Sequence, residues 1–187
     1  MSRLLFLDLE TTGFSTQYNC ILEIAAEIVD ENYNICAQFH QYIKPRNRIP
    51  ASVVELTRIT DDMVKDCRSE KEVLMDFSEW ICTHEFDTVI GHNCKAFDLR
   101  FLRERCAYNN VNWNLGNATI VDTLSLAKQL GKQNKITVLN FRQPTLAAYF
   151  SIKYEAHSAI EDIHALQQIY KHLKKFEQPT TRAMLGF

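Results

Sequence analysis

Four carboxylates and one histidine stand in three short segments that lie far apart in the chain. They are Asp8, Glu10, Asp98, Asp162 and His157. Carboxylate oxygens are ligands that Mg²⁺ and Mn²⁺ prefer, and a histidine with a pKa of about 6.5 can take a proton from a bound water at neutral pH. Together these residues predict a site for two divalent cations and one base, a set suited to phosphodiester hydrolysis.

The first segment ends an apolar strand and then turns. Residues 3–9 are apolar almost throughout, which predicts a strand buried on both faces. Residues two apart on a strand point to the same face, so Asp8 and Glu10 should project together at its end. An unpaired charge there is costly unless a metal ion or hydrogen bonds compensate it. The turn Thr11-Thr12-Gly13 follows at once, and its N–H groups and hydroxyls could hold a terminal sugar or phosphate.

The second and third segments each place an aspartate near the start of a predicted helix. Asp98 follows a loop that contains Asn93, whose side chain could brace the loop across it or form a simple Asx turn. In the third segment Ser158 is a suitable N-cap and Glu161 would complete a capping box. We therefore expect Asp162 to be fixed in the helix. His157 would precede the helix and stay free to move.

Composition indicates one compact domain without a strongly basic surface. The 187 residues are 46% hydrophobic and 11% aromatic, enough for one buried core. A net charge of −2 excludes a binder that depends mainly on neutralising many phosphates, but not an enzyme whose acidic pocket holds metal ions. The six cysteines form no C-x-x-C pair, and the chain shows neither a signal peptide pattern nor an apolar run of about 20 residues. We expect free thiols and a soluble, cytoplasmic protein.

Hydrophobic periodicity predicts an α/β fold with five strands. Strands are expected at residues 3–9, 20–29, 35–43, 88–91 and 118–121, with a hairpin turn at residues 32–34. Helices are expected at residues 69–82, 95–108, 123–130, 145–150 and 158–176, with short helices between residues 50 and 63. This order predicts a mixed sheet with helices on both faces. We expect residues 1–176 to form the domain and residues 177–187 a C-terminal tail.

The three segments resemble, in order and in separation, the three motifs of the DEDDh exonucleases. These are the DnaQ-like 3′→5′ exonucleases of the ribonuclease H-like superfamily, which includes the proofreading subunit of bacterial replicative polymerase. The motifs are Asp8-x-Glu10-Thr11-Thr12-Gly13, His92-Asn93-x-x-x-Phe97-Asp98 and His157-x4-Asp162. The last spacing is the most specific, because the sister group carries a tyrosine there at a different spacing. The resemblance covers about residues 3–175.

The resemblance implies a three-layer ribonuclease H-like fold and a role for each of these residues. The four carboxylates would bind two Mg²⁺ or Mn²⁺ ions, and His157 would be the general base as water attacks the last phosphodiester of a 3′ end. The residues implied in binding the terminal nucleotide are Thr11, Thr12, Gly13, Phe14, Asn93 and Phe97. Phe14 would stack on or wedge between bases, although an ordinary exposed aromatic residue explains it equally well.

Two features differ from the family pattern. Residues 141–146 are interrupted by Pro144 where members often have an Asn or Lys and a Leu. The chain also lacks the long tail by which the proofreading subunit binds its polymerase, which argues against a stable polymerase complex. Leu185 and Phe187 have the spacing of a sliding-clamp peptide without its leading glutamine, and a frayed terminus explains them better.

Two basic groups could guide a nucleic acid strand to the site. The first is Lys44, Arg46 and Arg48 in one loop, and the second is Lys95, Arg100, Arg103 and Arg105 on the helix of Asp98. A solvated surface is the simpler explanation for both.

Three functional hypotheses remain open at this point. The first is a metal-dependent 3′→5′ exonuclease that acts on single-stranded DNA or DNA ends in proofreading or repair and releases nucleoside 5′-monophosphates. The second is an exoribonuclease or oligoribonuclease of the same chemistry, since no residue clearly tests the 2′-hydroxyl. The third is an inactive exonuclease-like binding module, against which the intact set of five residues argues.

Overall fold

The computed structural model describes residues 2–153 and 158–177. The strands are β1 (Leu4–Thr11), β2 (Ile21–Val29), β3 (Ile35–Tyr42), β4 (Thr88–Gly91) and β5 (Thr119–Asp122). The helices are α1 (Ala51–Thr57), α2 (Asp61–Val64), α3 (Glu70–Thr83), α4 (Asp98–Asn109), α5 (Thr123–Lys132), α6 (Gln143–Tyr149) and α7 (Ala159–Lys175). The five predicted strands are confirmed, with bounds that differ by one or two residues.

The strands form one mixed sheet in the order β3-β2-β1-β4-β5. Strand β2 runs antiparallel to both β1 and β3, whereas β1, β4 and β5 are parallel to one another. Strands β1, β3, β4 and β5 therefore all end at the same edge of the sheet, which we call the carboxyl edge. In sheets of this kind, ligands bind beyond the carboxyl ends of the strands.

Helices cover both faces of the sheet, as the sequence predicts. Successive side chains of β1 point to opposite faces, so Leu5 and Leu7 pack in a core with helices α3 and α4. Phe6 packs in a second core with helices α5, α6 and α7. A smaller cluster that includes Leu22 and Ile59 holds helices α1 and α2 against β2. The result is a three-layer α/β domain with β1 at its centre.

Two predicted helix starts have different outcomes. The capping box at the start of α3 is confirmed, because Ser69 and Glu72 exchange their reciprocal hydrogen bonds. Helix α4 begins later than expected, at Asp98. Asn93 takes a left-handed conformation with φ 61, and its carbonyl accepts hydrogen bonds from the N–H groups of Ala96 and Phe97. Residues 95–97, which the sequence analysis assigned to the helix, therefore belong to this turn.

The predicted capping box at the start of α7 is wrong. Ser158 precedes the helix, but its side chain makes no capping hydrogen bond. Instead, the backbone N–H of Ala159 donates to the Oε2 atom of Glu23 over 3.3 Å, and Glu23 is fully buried on β2. The start of α7 is therefore held by a neighbouring strand and not by its own side chains.

All six cysteines are free thiols, as predicted, and three of them are buried. Within residues 2–153 and 158–177, no helix is both long and apolar enough to cross a membrane. The predicted clamp-like residues Leu185 and Phe187 lie outside the described residues, as does His157.

Candidate active site

Three of the predicted ligands converge at the carboxyl edge. Oxygen atoms of Asp8, Glu10 and Asp162 all lie within 4.8 Å of one another. Asp8 and Glu10 alternate along β1 with residues of the α3/α4 core, so both point toward α7. Helix α7 contributes Asp162 from its first turn. Oxygen ligands sit about 2.1 Å from a bound Mg²⁺, so two of them are at most about 4.2 Å apart, and oxygens at the observed spacing need only a small shift to share one ion.

Asp98 completes the carboxylate group from the opposite side of β1. Strand β4 ends at Gly91 and leaves the last part of β1 unpaired on that side. Asp98 begins helix α4 at this position, and its side chain accepts a hydrogen bond from the backbone N–H of Leu9. The charge of Asp98 also raises the pKa of Asp8 and Glu10, which shows that the three carboxylates interact.

Burial and mutual repulsion disfavour the charged forms of these carboxylates. Burial is the largest cause of the raised pKa of Asp8, followed by the charges of Asp98 and Asp162. The pKa of Glu10 rises to about 8, again first through burial and then through Asp162. The pKa of Asp98, which is 3% exposed, rises to about 7 through burial. Such a group needs protons or cations to be stable, and its all-oxygen ligands fit Mg²⁺ or Mn²⁺ better than zinc.

Glu23 is a buried carboxylate beside the site that the sequence analysis missed. It lies opposite Glu10 in the β1–β2 pairing. Its Oε1 atom is 2.6 Å from Nε2 of His40, and its Oε2 atom accepts the N–H of Ala159. Because both oxygens already have partners, Glu23 joins β2, β3 and the start of α7. The available signal was the presence of two glutamates, Glu23 and Glu27, in a strand that is apolar at every other position.

Gln143 is a second missed residue, and it holds Asp162. Its Nε2 atom donates to the Oδ1 atom of Asp162 over 2.7 Å and to the carbonyl oxygen of the same residue over 3.0 Å. Gln143 is buried at the start of α6, with Pro144 in the first turn. The proline that set this segment apart from the family pattern therefore fits a helix start, where it is favourable.

The loop that leads to Asp98 is held by Asp122, a third missed residue. Asp122 ends β5 and caps helix α5, accepting from the N–H groups of Leu124 and Ser125. It also accepts from the N–H groups of Asn93 over 3.1 Å and Lys95 over 3.3 Å. Asn93 thus contributes its backbone to the loop, and its side chain is exposed.

The turn after Glu10 uses its threonine hydroxyls internally. The hydroxyl of Thr11 donates to the carbonyl of Gly13 over 2.8 Å, and the hydroxyl of Thr12 accepts from the N–H of Cys20 over 3.0 Å. Gly13 has a φ of +152, which residues with a Cβ atom rarely adopt, and a Cβ atom there would also lie 2.7 Å from the Oδ1 atom of Asn19, so the turn favours glycine. Contact of these residues with a nucleotide stays a prediction.

An exposed aromatic pair lies beside the carboxylates. The Phe14 side chain is 88% exposed, and its ring centroid lies 6.1 Å from that of Phe97 in an edge-on arrangement. Phe97 is half-buried and packs against Phe101 with 5.5 Å between ring centroids. The exposed ring of Phe14 offers an apolar face to a nucleic acid base, and Phe97 supports that ring from the side.

Sequence comparison identifies relatives of most of the chain. A sequence model of the Exonuclease family, RNase_T, matches residues 5–170. The DNA polymerase III PolC-type of Staphylococcus aureus (strain bovine RF122 / ET3-1) is 34% identical over 164 residues, and that of Staphylococcus epidermidis (strain ATCC 12228 / FDA PCI 1200) is 33% identical over 164 residues. Both alignments cover 87% of this chain and 11% of the relative, so the chain spans about a tenth of the length of these proteins.

Structure comparison gives the same fold. E. coli exonuclease I in complex with a dT13 oligonucleotide superposes with a TM-score of 0.82 at 21% identity, over 93% of this chain and 41% of that one. A product-bound structure of exonuclease I superposes with a TM-score of 0.81 at 20% identity, over 94% of this chain and 44% of that one. The predicted ribonuclease H-like fold is confirmed.

Proposed function

The chain belongs to the Exonuclease family, and on this premise we propose that it is a metal-dependent 3′→5′ exonuclease. It hydrolyses the last phosphodiester of single-stranded DNA or DNA ends and releases nucleoside 5′-monophosphates. The observation that carries the proposal is the convergence of Asp8, Glu10 and Asp162 within 4.8 Å, with Asp98 hydrogen-bonded to the same strand.

The four carboxylates would hold two Mg²⁺ or Mn²⁺ ions, as the sequence resemblance implies. When bound, such ions polarise the phosphoryl group and lower the pKa of the attacking water. The chain itself contributes fixed ligands. Gln143 orients Asp162, the N–H of Leu9 orients Asp98, and the strand backbone orients Asp8 and Glu10. Ligands held in this way need little rearrangement when cations and substrate bind.

His157 would take the proton from the attacking water. It directly precedes Ser158, and the next residue, Ala159, is fixed to the buried Glu23 through its backbone N–H. Attachment at Ala159 fixes the start of α7, whose first turn carries Asp162. A histidine titrates near neutral pH, as this role requires.

Phe14 and Phe97 would bind the base of the terminal nucleotide. Aromatic stacking is available to every base, so this contact would accept any sequence. Exonuclease I has been solved with a dT13 oligonucleotide, and the PolC-type relatives are DNA polymerases, which supports DNA as the substrate. The same relatives support a role in proofreading or repair.

Degradation of labelled oligonucleotides tests this function. The intact chain is incubated with DNA and RNA oligomers of one sequence, labelled at the 3′ or the 5′ end, with and without Mg²⁺. We expect immediate release of the 3′ label as a mononucleotide, progressive shortening of the 5′-labelled strand, and faster hydrolysis of DNA than of RNA. Release of the 5′ label first, or equal activity without divalent cations, contradicts the proposal. Faster hydrolysis of RNA would favour the ribonuclease alternative.

A further inference from the structure

A pocket of about 380 Å³ opens at the carboxyl edge beside the turn that follows Glu10. Its lining includes Thr12 and Tyr18 from that turn, and Arg46, Arg48 and Arg105 from two other parts of the chain. We call it the arginine pocket. The residues lining it are separate from the carboxylates, although Thr12 stands only two residues after Glu10.

Sheet topology explains why this pocket lies near the carboxylates. Strand β3 ends at Tyr42 on the carboxyl edge, because it is antiparallel to β2 and so runs in the same direction as β1. The chain that follows β3 carries Arg46 and Arg48. An extended chain advances about 3.3 Å per residue, so Thr12 lies roughly 7 Å along the chain from Glu10. A single-stranded nucleic acid whose 3′ end lies on the carboxylates can therefore reach the pocket.

Arg105 builds the pocket but offers little free charge. Its guanidinium forms a buried ion pair with Glu70, with 2.5 Å between Nη2 and Oε2. It also donates to the carbonyl of Thr16 over 3.1 Å, while Glu70 accepts the N–H of Ile21 over 3.0 Å. This ion pair fixes the middle and the end of the connection between β1 and β2, so Arg105 serves as a structural wall of the pocket.

Arg46 and Arg48 supply the charge that is available to a ligand. Arg46 lies over the ring of Tyr108, 4.4 Å from its centroid, and donates to the Tyr108 hydroxyl. These contacts orient the guanidinium without neutralising it. The side chain of Arg48 is 92% exposed and lies 3.4 Å from Asp61, a surface pair that is weak in water. Two arginines are thus positioned to bind phosphate oxygens.

An aromatic residue accompanies these cations. The Tyr18 side chain is 77% exposed and lines the pocket. Phe14, on the same turn, is exposed beside the carboxylates. Cationic side chains interleaved with exposed aromatic rings are typical of surfaces that bind single-stranded nucleic acid by backbone charge and base stacking.

The second basic group of the sequence differs from the first. Arg100 lies 3.0 Å from Glu104, and Arg103 lies 3.7 Å from the same carboxylate. The hydroxyl of Thr16 also donates to Glu104. Glu104, on the same helix, therefore partly neutralises Arg100 and Arg103, and neither of these two arginines lines the pocket. Arg105, which belongs to the same group in the sequence, lines the pocket but is paired with Glu70.

We propose that the arginine pocket binds the phosphates and a base of the nucleotides on the 5′ side of the bond being hydrolysed. Arg46 and Arg48 contact the phosphates, and Tyr18 stacks on the base. This inference rests on the proposed exonuclease function. According to this inference, the pocket contributes the part of the binding affinity that a single strand has beyond its terminal nucleotide.

Equilibrium binding tests the pocket without requiring catalysis. In an Asp8→Asn background, a fluorescent oligothymidylate is titrated with the double variant Arg46→Gln/Arg48→Gln and with the control Arg100→Gln/Arg103→Gln, which loses the same charge. We expect about a tenfold weaker affinity for the first and less than about a twofold change for the control. For two lost contacts, the slope of log affinity against log salt should fall by about 1.4. Equal losses in both variants, or an unchanged slope, overturn the proposal.

Tyr18→Ala separates stacking from charge. This variant should also weaken binding about tenfold, but it should leave the salt slope unchanged because no cation is removed. Unchanged affinity would remove Tyr18 from the site. Thermal unfolding of every variant within about 2 °C of the parent excludes misfolding as the cause.

Kinetics distinguishes failure of the pocket from failure of the proposed function. The ratio of kcat/KM for the oligothymidylate to kcat/KM for a mononucleotide ester, p-nitrophenyl thymidine 5′-phosphate, should fall about tenfold in Arg46→Gln/Arg48→Gln. An unchanged ratio contradicts the pocket. If the parent chain hydrolyses neither substrate, the proposed function fails, whereas the binding comparison still decides whether the pocket holds single strands.

Discussion

Two groups of buried or half-buried carboxylates lie on either side of the turn that follows β1, and they differ in how their charge is balanced. Glu70 is paired with the buried Arg105 and also accepts hydrogen bonds from the N–H of Ile21 and the side chain of Asn109. The group that includes Asp8 and Glu10 instead contains several acids that raise one another's pKa. Full compensation at Glu70 indicates a structural role. Repulsion in the other group indicates a site that is completed by cations.

The comparison also shows what each group contributes to the other. The Glu70–Arg105 pair holds Thr16 and Ile21, and the exposed Phe14 lies in the same connection between β1 and β2. The Glu70–Arg105 pair, whose charges balance, therefore fixes the loop that lies beside the mutually repelling carboxylates. Removal of the Glu70 carboxylate should therefore lower the free energy of unfolding, whereas removal of the Asp8 carboxylate should not.

The largest expected effect is the loss of activity in Asp8→Asn. Removal of this ligand should lower kcat/KM for oligothymidylate at least about a thousandfold, which is about 4 kcal/mol of lost transition-state stabilisation. Asp66→Asn, which alters an exposed aspartate elsewhere, serves as the control and should keep normal turnover. Near-normal activity of Asp8→Asn would remove Asp8 from the site.

The next effect concerns stability at the compensated pair. Glu70→Gln leaves the buried guanidinium of Arg105 without its counter-charge, so we expect the free energy of unfolding to fall by about 3 kcal/mol. Urea denaturation measures this loss. Asp8→Asn should not destabilise the metal-free protein at pH 8, since it relieves repulsion. The comparison fails if the two variants lose similar stability.

His157→Ala tests whether metal binding by the carboxylates is separate from proton transfer by His157. This change should lower kcat about a hundredfold, the usual scale for a general base. Binding of Mn²⁺, followed by electron paramagnetic resonance, should be retained because the carboxylates are unchanged. A loss of Mn²⁺ binding in this variant would show that His157 is a metal ligand and not the base.

Gln143→Leu tests the support of Asp162. Without the hydrogen bond of 2.7 Å, the carboxylate is held less firmly, and Mn²⁺ affinity should fall about tenfold while the fold is kept. Gln129→Leu, a change on helix α5 at an exposed position, is the matched control. Equal Mn²⁺ affinity of the Gln143 variant and the parent protein would show that this hydrogen bond does not orient a ligand.

The last prediction concerns the pH dependence of stability without metal. A carboxyl group whose pKa is raised on folding binds its proton more tightly in the native state than in the unfolded state. Stability is therefore lost as the pH rises from the ordinary glutamate pKa of 4.5 toward about 8, the value for Glu10. We expect a loss of between about 1 and about 4 kcal/mol from pH 5 to pH 8, the upper value corresponding to the full shift at Glu10, measured by urea denaturation in chelator. Adding Mg²⁺ at pH 8 should reverse it, and a stability that rises over this range would contradict the repulsion.

Local signals were enough to predict most of the fold. Period-two and helical patterns located the strands and helices, and the Ser69–Glu72 capping box formed as predicted because its partners are three residues apart. The spacing of Asp8 and Glu10 likewise placed both on one face of a strand. Each of these features depends on neighbouring residues alone.

Long-range supports could not be predicted in this way. Glu23 meets Ala159 across 136 positions of sequence, and Gln143 meets Asp162 across 19. Only the packing of α6 and α7 on the sheet brings these pairs together. The failed capping box at Ser158 has the same cause, because a strand carboxylate replaced the local cap. The role of His157 stays a prediction.

The most direct test of the central claim is to locate Mn²⁺ by anomalous diffraction from crystals of the intact chain soaked with that ion. The account predicts ions in contact with Asp8, Glu10, Asp98 and Asp162, and their loss in crystals of Asp8→Asn. Mn²⁺ bound elsewhere, or bound equally well in the variant, would contradict it.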